Sequence, residues 1–315
     1  MKKIFNTLKA HFKADFHLPL YTYFIFFLIV CTSINYYYKF ESEVLDGAFG
    51  KPWSIPIHIL FYYFAYFGIA VPQAFILQKQ ARFQQQEFWI KTLVFVGLVG
   101  LVDGFSYYRA LIPDESITYL ERNFLFKVTG EFKRVALFSI PLYLLYRYYD
   151  YQSKNLYGFA KENKFDHKPY LLMLLIMVPL IAIASFENSF IKTYPRFKPW
   201  LYDDIFSLPK LIPVLIFELV YGLDFIFVEW IYRGAMVIGL ARIMGKDTIL
   251  PMVSTYAFLH FGKPLGETVG SVFGGYILGV IALNSRNIIG GVYIHMGVAY
   301  FMEAFAYIQH YITKP

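Results

Sequence analysis

The sequence predicts an all-α fold: a polytopic membrane helical bundle of about eight or nine transmembrane helices. Three observations carry that prediction. Hydrophobic residues make up 57% of the 315 residues and charged residues 16%, where soluble domains carry about a quarter charged. Apolar runs of about 20 residues, long enough to cross hydrocarbon, recur along the chain. No ten-residue alternation of the kind that builds a membrane barrel is present.

Taken in order, residues 1–16 form a basic amphipathic helix. Ile4, Phe5, Leu8, Phe12 and Phe16 recur at helical spacing, with Lys2, Lys3, Lys9 and Lys13 on other faces. Such a helix lies on a bilayer surface. The following apolar run is long and lacks a small-residue exit, so a cleaved signal is not expected. The predicted spans are about 17–38, 55–78, 89–110, 132–149, 168–186, 212–241, 248–262, 268–285 and 288–311. The fourth, seventh and eighth are short or interrupted by Pro or Gly, so the count falls between eight and nine.

Loop charge sets the orientation. Lys79 and Arg82 follow the second span. Arg147, Lys154, Lys161, Lys164 and Lys168 follow the fourth, Arg242 and Lys246 the sixth, and Arg286 the eighth. With nine spans these share one side with the basic N-terminus. The opposite loops are mixed, as in Glu41, Glu43, Asp46 and Lys51, or Asp203 and Asp204. The positive-inside rule therefore places the N-terminus in the cytoplasm and the C-terminus outside, in a bacterial-type inner membrane. The net charge of +7 reads as topology and contact with the lipid bilayer, and no nucleic-acid partner is expected. The single cysteine, Cys31, excludes an internal disulfide and a cysteine zinc set.

Three regions follow: the interfacial helix 1–16, an N-terminal transmembrane scaffold 17–200 rich in Phe and Tyr, and a C-terminal core 201–315. Gly270, Gly274, Gly275 and Gly279 give the core small-xxx-small spacing, which lets helix backbones approach. No internal repeat is evident, which weakens a transporter reading.

The core carries the polar residues. Glu229 and Arg233 lie one helical turn apart inside an apolar run. An intramembrane carboxylate costs about 2.5–3.5 kcal/mol or more unless partnered, so it marks a functional site by default. His260 falls near a helix end and His295 in mid-span. A carboxylate and two histidines are the parts for activating water, directly or through a metal. HExxH, GxSxG and Gly-rich phosphate loops are all missing.

These segments resemble the CPBP family of intramembrane proteases, the CAAX prenyl endopeptidase and bacteriocin-processing (Abi) type. The family pattern is EExxxR, then FxxxH, then HxxxN. The matching stretches are VEWIYRG at 228–234, YAFLH at 256–260 and HMGVA at 295–299. FGKPLGE follows the second, and GGYILGVIALNSRNIIGGVYIHMG leads into the third. The resemblance covers about residues 210–300. It implies hydrolysis of a peptide bond in a membrane-embedded or lipidated substrate. The first Glu and first His of the pattern activate water, the second Glu and the Arg support them, and the second His and the Asn stabilise the oxyanion. No cofactor is expected; a divalent metal at His260 and His295 is the alternative.

The chain departs from that pattern at Val228, in place of the first Glu, at Ala299, in place of the Asn, and at Tyr256, in place of the Phe. Glu229, Arg233, His260 and His295 are retained. Valine cannot deprotonate water. Alanine cannot donate to an oxyanion, a loss that costs about 10²–10³ in rate elsewhere. Asp224, one turn before Val228 and within about 40° of its direction, is a candidate replacement base. Glu218 and Glu303 are further intramembrane acids, and Glu267 suits a helix N-terminus. The catalytic candidates are therefore Glu229, Arg233, His260, His295 and Asp224. An inactive CPBP relative acting as scaffold or peptide-binding protein is the first alternative, and a transporter the second.

Overall fold

The computed structural model describes residues 2–113, 116–160, 166–202 and 204–313; Lys161, Lys164 and Asp203 lie outside the described residues. The described residues are all-α apart from one small hairpin. The helices are α1 (Lys2–Asp15), α2 (Leu18–Tyr38), α3 (Ser54–Ile76), α4 (Gln86–Gly104), α5 (Tyr119–Leu145), α6 (Lys168–Ala184), α7 (Asn188–Thr193), α8 (Leu211–Glu229), α9 (Ala241–Met244), α10 (Ile249–Phe258), α11 (Leu265–Ser285) and α12 (Ile289–Thr313). Between α8 and α9, Trp230–Gly239 continues as a helix of wide π-type turns.

Five stretches among the described residues are long and apolar enough to cross a membrane: Leu18–Tyr38, Ser54–Ile76, Leu211–Phe258, Leu265–Ser285 and Ile289–Ile312. They are compatible with an integral membrane protein. Lys168–Ala184 is apolar but shorter. The predicted span at 132–149 overlaps the longer α5, which carries Glu121, Arg122, Lys127, Glu131, Lys133 and Arg134 before its apolar end. The predicted span at 248–262 is the short α10, which ends before His260.

The chain divides into two compact units. Unit one comprises residues 1–105, 140–165 and 229–291. At its centre is α10, with every residue buried, packed against α3 and α11. A helix apolar on all sides has to be enclosed in this way. Its two hydroxyl side chains are satisfied: Ser254 Oγ donates to Ala65 O and Thr255 Oγ1 to Pro251 O, each across 2.8 Å. α3 and α4 approach closely because Gly100 and Gly104 lie against the backbone of Ile59 and Ile55, and Ser54 Oγ donates to Gly104 O at 3.0 Å.

The hairpin pairs β1 (Asn155–Leu156) with β2 (Phe159–Ala160). Its turn residues Tyr157 and Gly158 both have positive φ, the backbone that a two-residue hairpin requires. Tyr157 projects onto the π-type stretch, where Gly234 and Gly239 leave room for it. Lys91 Nζ, fully buried, binds Glu87 Oε1 at 2.8 Å, Asp150 Oδ2 at 2.6 Å and Gly239 O at 3.1 Å. Three of the basic loop residues are likewise paired. Asp247, buried, is 2.8 Å from Lys79 Nζ and 2.9 Å from Arg82 Nη2, while Arg242 binds Glu87 at 2.5 Å.

Unit two comprises residues 106–139, 166–228 and 292–315. One apolar cluster joins Phe124, Phe197, Ile205, Phe217, Tyr221, Phe225 and Ala299. A second joins Ile181, Phe190, Tyr194 and Ala306. Small residues again admit large neighbours: Gly222 lies under the Tyr300 hydroxyl, which donates to Glu218 O at 3.0 Å, and Gly297 lies against Leu174.

The α3–α4 contact leaves no room for a side chain at Gly100. Gly100→Ala is expected to cost roughly 1–3 kcal/mol, the scale of overpacking in a filled core. Thermal unfolding in detergent checks this, and an unchanged transition would contradict the close approach.

Candidate functional site

Glu229 and Arg233 arise from the junction where α8 gives way to the π-type stretch, and both side chains are sealed from solvent. Arg233 Nη1 lies 3.0 Å from Glu229 Oε1. The other carboxylate oxygen, Oε2, rests against Gly291, where any Cβ would overlap it. The guanidinium lies over the Tyr256 ring, 4.1 Å from its centroid. Stacking on an aromatic face suits a guanidinium, which is weakly hydrated and planar.

Tyr256 connects this pair to His260. The two rings meet edge to face at 4.6 Å, and Tyr232 packs on the other side of Tyr256 at 5.1 Å. His260 Nδ1 is 2.8 Å from Tyr256 O. A carbonyl only accepts, so Nδ1 carries the proton and Nε2 is the basic ring nitrogen. His260 O accepts from Thr268 Oγ1 at 2.5 Å, and Thr268 Oγ1 is 2.7 Å from the Tyr36 hydroxyl. The result, wholly within unit one, is a buried row of carboxylate, guanidinium, phenol and imidazole.

The turn after His260 has a titratable neighbour. The Glu41 carboxylate packs against Gly262, so closely that a Cβ there would fall 2.6 Å from Oε1. Burial, then the charges of Asp46 and Asp103, push the Glu41 carboxyl up to about 7, and Lys263 opposes them. The Glu41 backbone is tied to the same region: its N–H donates to Asn35 Oδ1 at 2.9 Å, and Asn35 Nδ2 donates to Phe261 O at 3.0 Å.

Asp224 and His295 lie in unit two. Asp224 Oδ2 accepts from Arg134 Nη1 at 2.5 Å, and Glu131 Oε2 is 3.3 Å from the same nitrogen. Asp224 is thus the buried acid of an ion pair between α5 and α8 whose arginine is partly exposed. His295 is half-buried, with its ring 4.5 Å from that of Phe225. Glu303 accepts the Arg196 N–H on both carboxylate oxygens at 3.0 Å. In unit one, Glu267 sits in the first turn of α11, 3.7 Å from Lys263. Among the described residues no three or more His, Cys, Asp and Glu side chains are grouped to hold a metal ion.

Several of these partners have no counterpart in the motif reading. Gly291, which seats Glu229, is one of many glycines in that region. Arg134, which holds Asp224, offered a clearer signal: a cation three residues from Glu131 in a largely apolar helix needs a partner. The aromatic role of Tyr256 is visible only once α10 is placed. The chain matches no protein-family model, no curated protein and no solved structure.

Two outcomes follow. Arg233→Met strands a buried carboxylate and is expected to cost about 3–5 kcal/mol, while Glu229→Leu with Arg233→Met recovers most of the loss; melting curves of both variants in detergent compare them. Glu41 has its folded pKa raised from 4.5 to about 7. Its stabilising contribution is therefore full below the unfolded value and is lost as pH rises through the folded one. Glu41→Gln is expected to flatten the fall in melting temperature across that window, and an unchanged pH profile would remove Glu41 as its source.

Proposed function

We propose that the chain is an intramembrane endopeptidase-like protein of the CPBP type, hydrolysing a peptide bond in a membrane-embedded or lipidated substrate. The observation that carries this reading is the buried row Glu229–Arg233–Tyr256–His260, which gathers the retained parts of the first two motifs in one unit. In this mechanism His260 Nε2 takes the proton of a water that attacks the scissile carbonyl. The proton then passes to the leaving amine. Glu229 holds Arg233 in place, and the guanidinium supplies positive potential for the developing oxyanion. His295 is the second stabilising group by its place in the third motif. The proposal includes eight or nine spans, an interfacial helix 1–16, a scaffold 17–200 and a core 201–315. The protein sits in a bacterial-type inner membrane with its N-terminus in the cytoplasm.

A second reading, a non-catalytic relative that binds membrane peptides, is favoured by one specific feature. Glu229 and Asp224 are each committed to an arginine, and the water-activating position is the apolar Val228. Purified protein incubated with membrane peptides separates the two. Cleavage that is lost in His260→Ala and falls about 10²-fold or more in Arg233→Lys supports the enzyme. An inert wild type that gains cleavage on Val228→Glu with Ala299→Asn identifies a lapsed protease that binds without turnover.

A further inference from the structure

A hollow of about 780 Å³ opens between α1 and the C-terminal end of α11, outside the row just described. Lys2, Lys3, Asn6, Thr7 and His11 line it from α1, and Asn284 lines it from α11. Lys3, Thr7 and His11 recur every four residues, so one face of α1 points at α11. Alanines at positions 10 and 14 keep the floor between them low.

His11 gives the hollow a direction. Only 9% of the residue is exposed, and Nε2 is fully buried with no hydrogen-bond partner among the described residues. Buried polar atoms in folded proteins are normally paired, so an orphan at the wall of a hollow marks the place of a missing partner. The neighbouring acid does not fill that role. Asp15 Oδ2 accepts from the Tyr21 hydroxyl at 2.9 Å, and Oδ1 is 3.6 Å from Lys246 Nζ. With Asp15 so engaged, the potential in the hollow is set by Lys2 and Lys3. Asn284 Nδ2 donates one hydrogen to Val280 O at 2.8 Å and keeps its second. The lining therefore offers two ammonium groups and several N–H donors, which suits a phosphate.

The source of that phosphate follows from the other faces of α1. Phe5 and Phe12, and Phe16 just past the helix end, are 64%, 46% and 47% exposed. A row of aromatic side chains on a basic helix places it at the level of lipid headgroups. We infer that the hollow between α1 and α11 is a binding site for the headgroup phosphate of an anionic phospholipid, held by Lys2, Lys3, His11 and Asn284. A choline headgroup carries its own cation towards the lysines and is disfavoured.

The test uses the full chain in detergent, with retained lipid counted by native mass spectrometry. Phosphatidylglycerol is expected to be retained in preference to phosphatidylcholine. Lys2→Gln with Lys3→Gln is expected to lower retention roughly tenfold or more, the scale of two lysines at an anionic surface. His11→Gln lowers it further. Both lysines are exposed, so the double variant folds. Lys9→Gln with Lys13→Gln removes the same charge from α1 outside the hollow and is expected to leave retention unchanged. Equal loss in the two double variants, or equal retention of the two lipids, overturns the site. Displacement of the lipid by an equal concentration of inorganic phosphate overturns the lipid as its occupant.

Discussion

Unit one is organised by the need to neutralise a carboxylate and a guanidinium that no solvent reaches. Glu229 and Arg233 answer each other at 3.0 Å, but an ion pair removed from water is stable only when its remaining surfaces are also engaged. Tyr256 covers the guanidinium, and the absence of a side chain at Gly291 gives the second carboxylate oxygen its seat. Those requirements seat Gly291, at the start of α12, against Glu229, and lay the Tyr256 ring of α10 under Arg233. His260 inherits its position from this arrangement, because it follows Tyr256 by one turn and bonds back to its carbonyl.

The same rule recurs wherever charge enters the interior. Lys91 meets two carboxylates and a carbonyl, Asp247 two cations, Asp224 one arginine, and Glu303 a backbone N–H on both oxygens. Apart from the one-turn Glu87–Lys91 pair, each interaction joins segments distant in sequence. In a chain so apolar, packing alone discriminates weakly between helix registers, whereas a buried charge tolerates few. Close approach is the second device. Gly100 and Gly104 let α4 lie on the α3 backbone, and Gly234 and Gly239 admit Tyr157. The small-residue stripe on α11 contributes less evenly, since Gly275 and Gly279 meet Tyr256 and Met252 while Gly270 and Gly274 face open space.

The helical class and the apolar stretches were legible because they depend on composition and on run length, which are local. The one-turn spacing of Glu229 and Arg233 was legible for the same reason, and so was the amphipathic α1. The partners of Asp224 and Glu303 were not. Arg134 lies about 90 residues from Asp224 and Arg196 over 100 from Glu303, and nothing in the local pattern of either acid names its mate. The helix limits also shifted. α5 begins well before its apolar end; midway along it Glu131 and Arg134 pair and Arg134 binds Asp224, so the charges there need not end the helix.

By itself the sequence determined the all-α membrane-compatible character of the chain and the presence of Glu229, Arg233, His260 and His295 within or beside its apolar runs. These are properties of residue type and spacing. Tertiary structure alone decided which partner each buried charge would have. It placed Glu229 with Arg233 and Gly291, His260 beside Tyr256, and Asp224 with Arg134. The reason is physical: a buried charge is balanced by whatever the fold brings within a few ångströms, and that neighbour is chosen by packing over the whole unit.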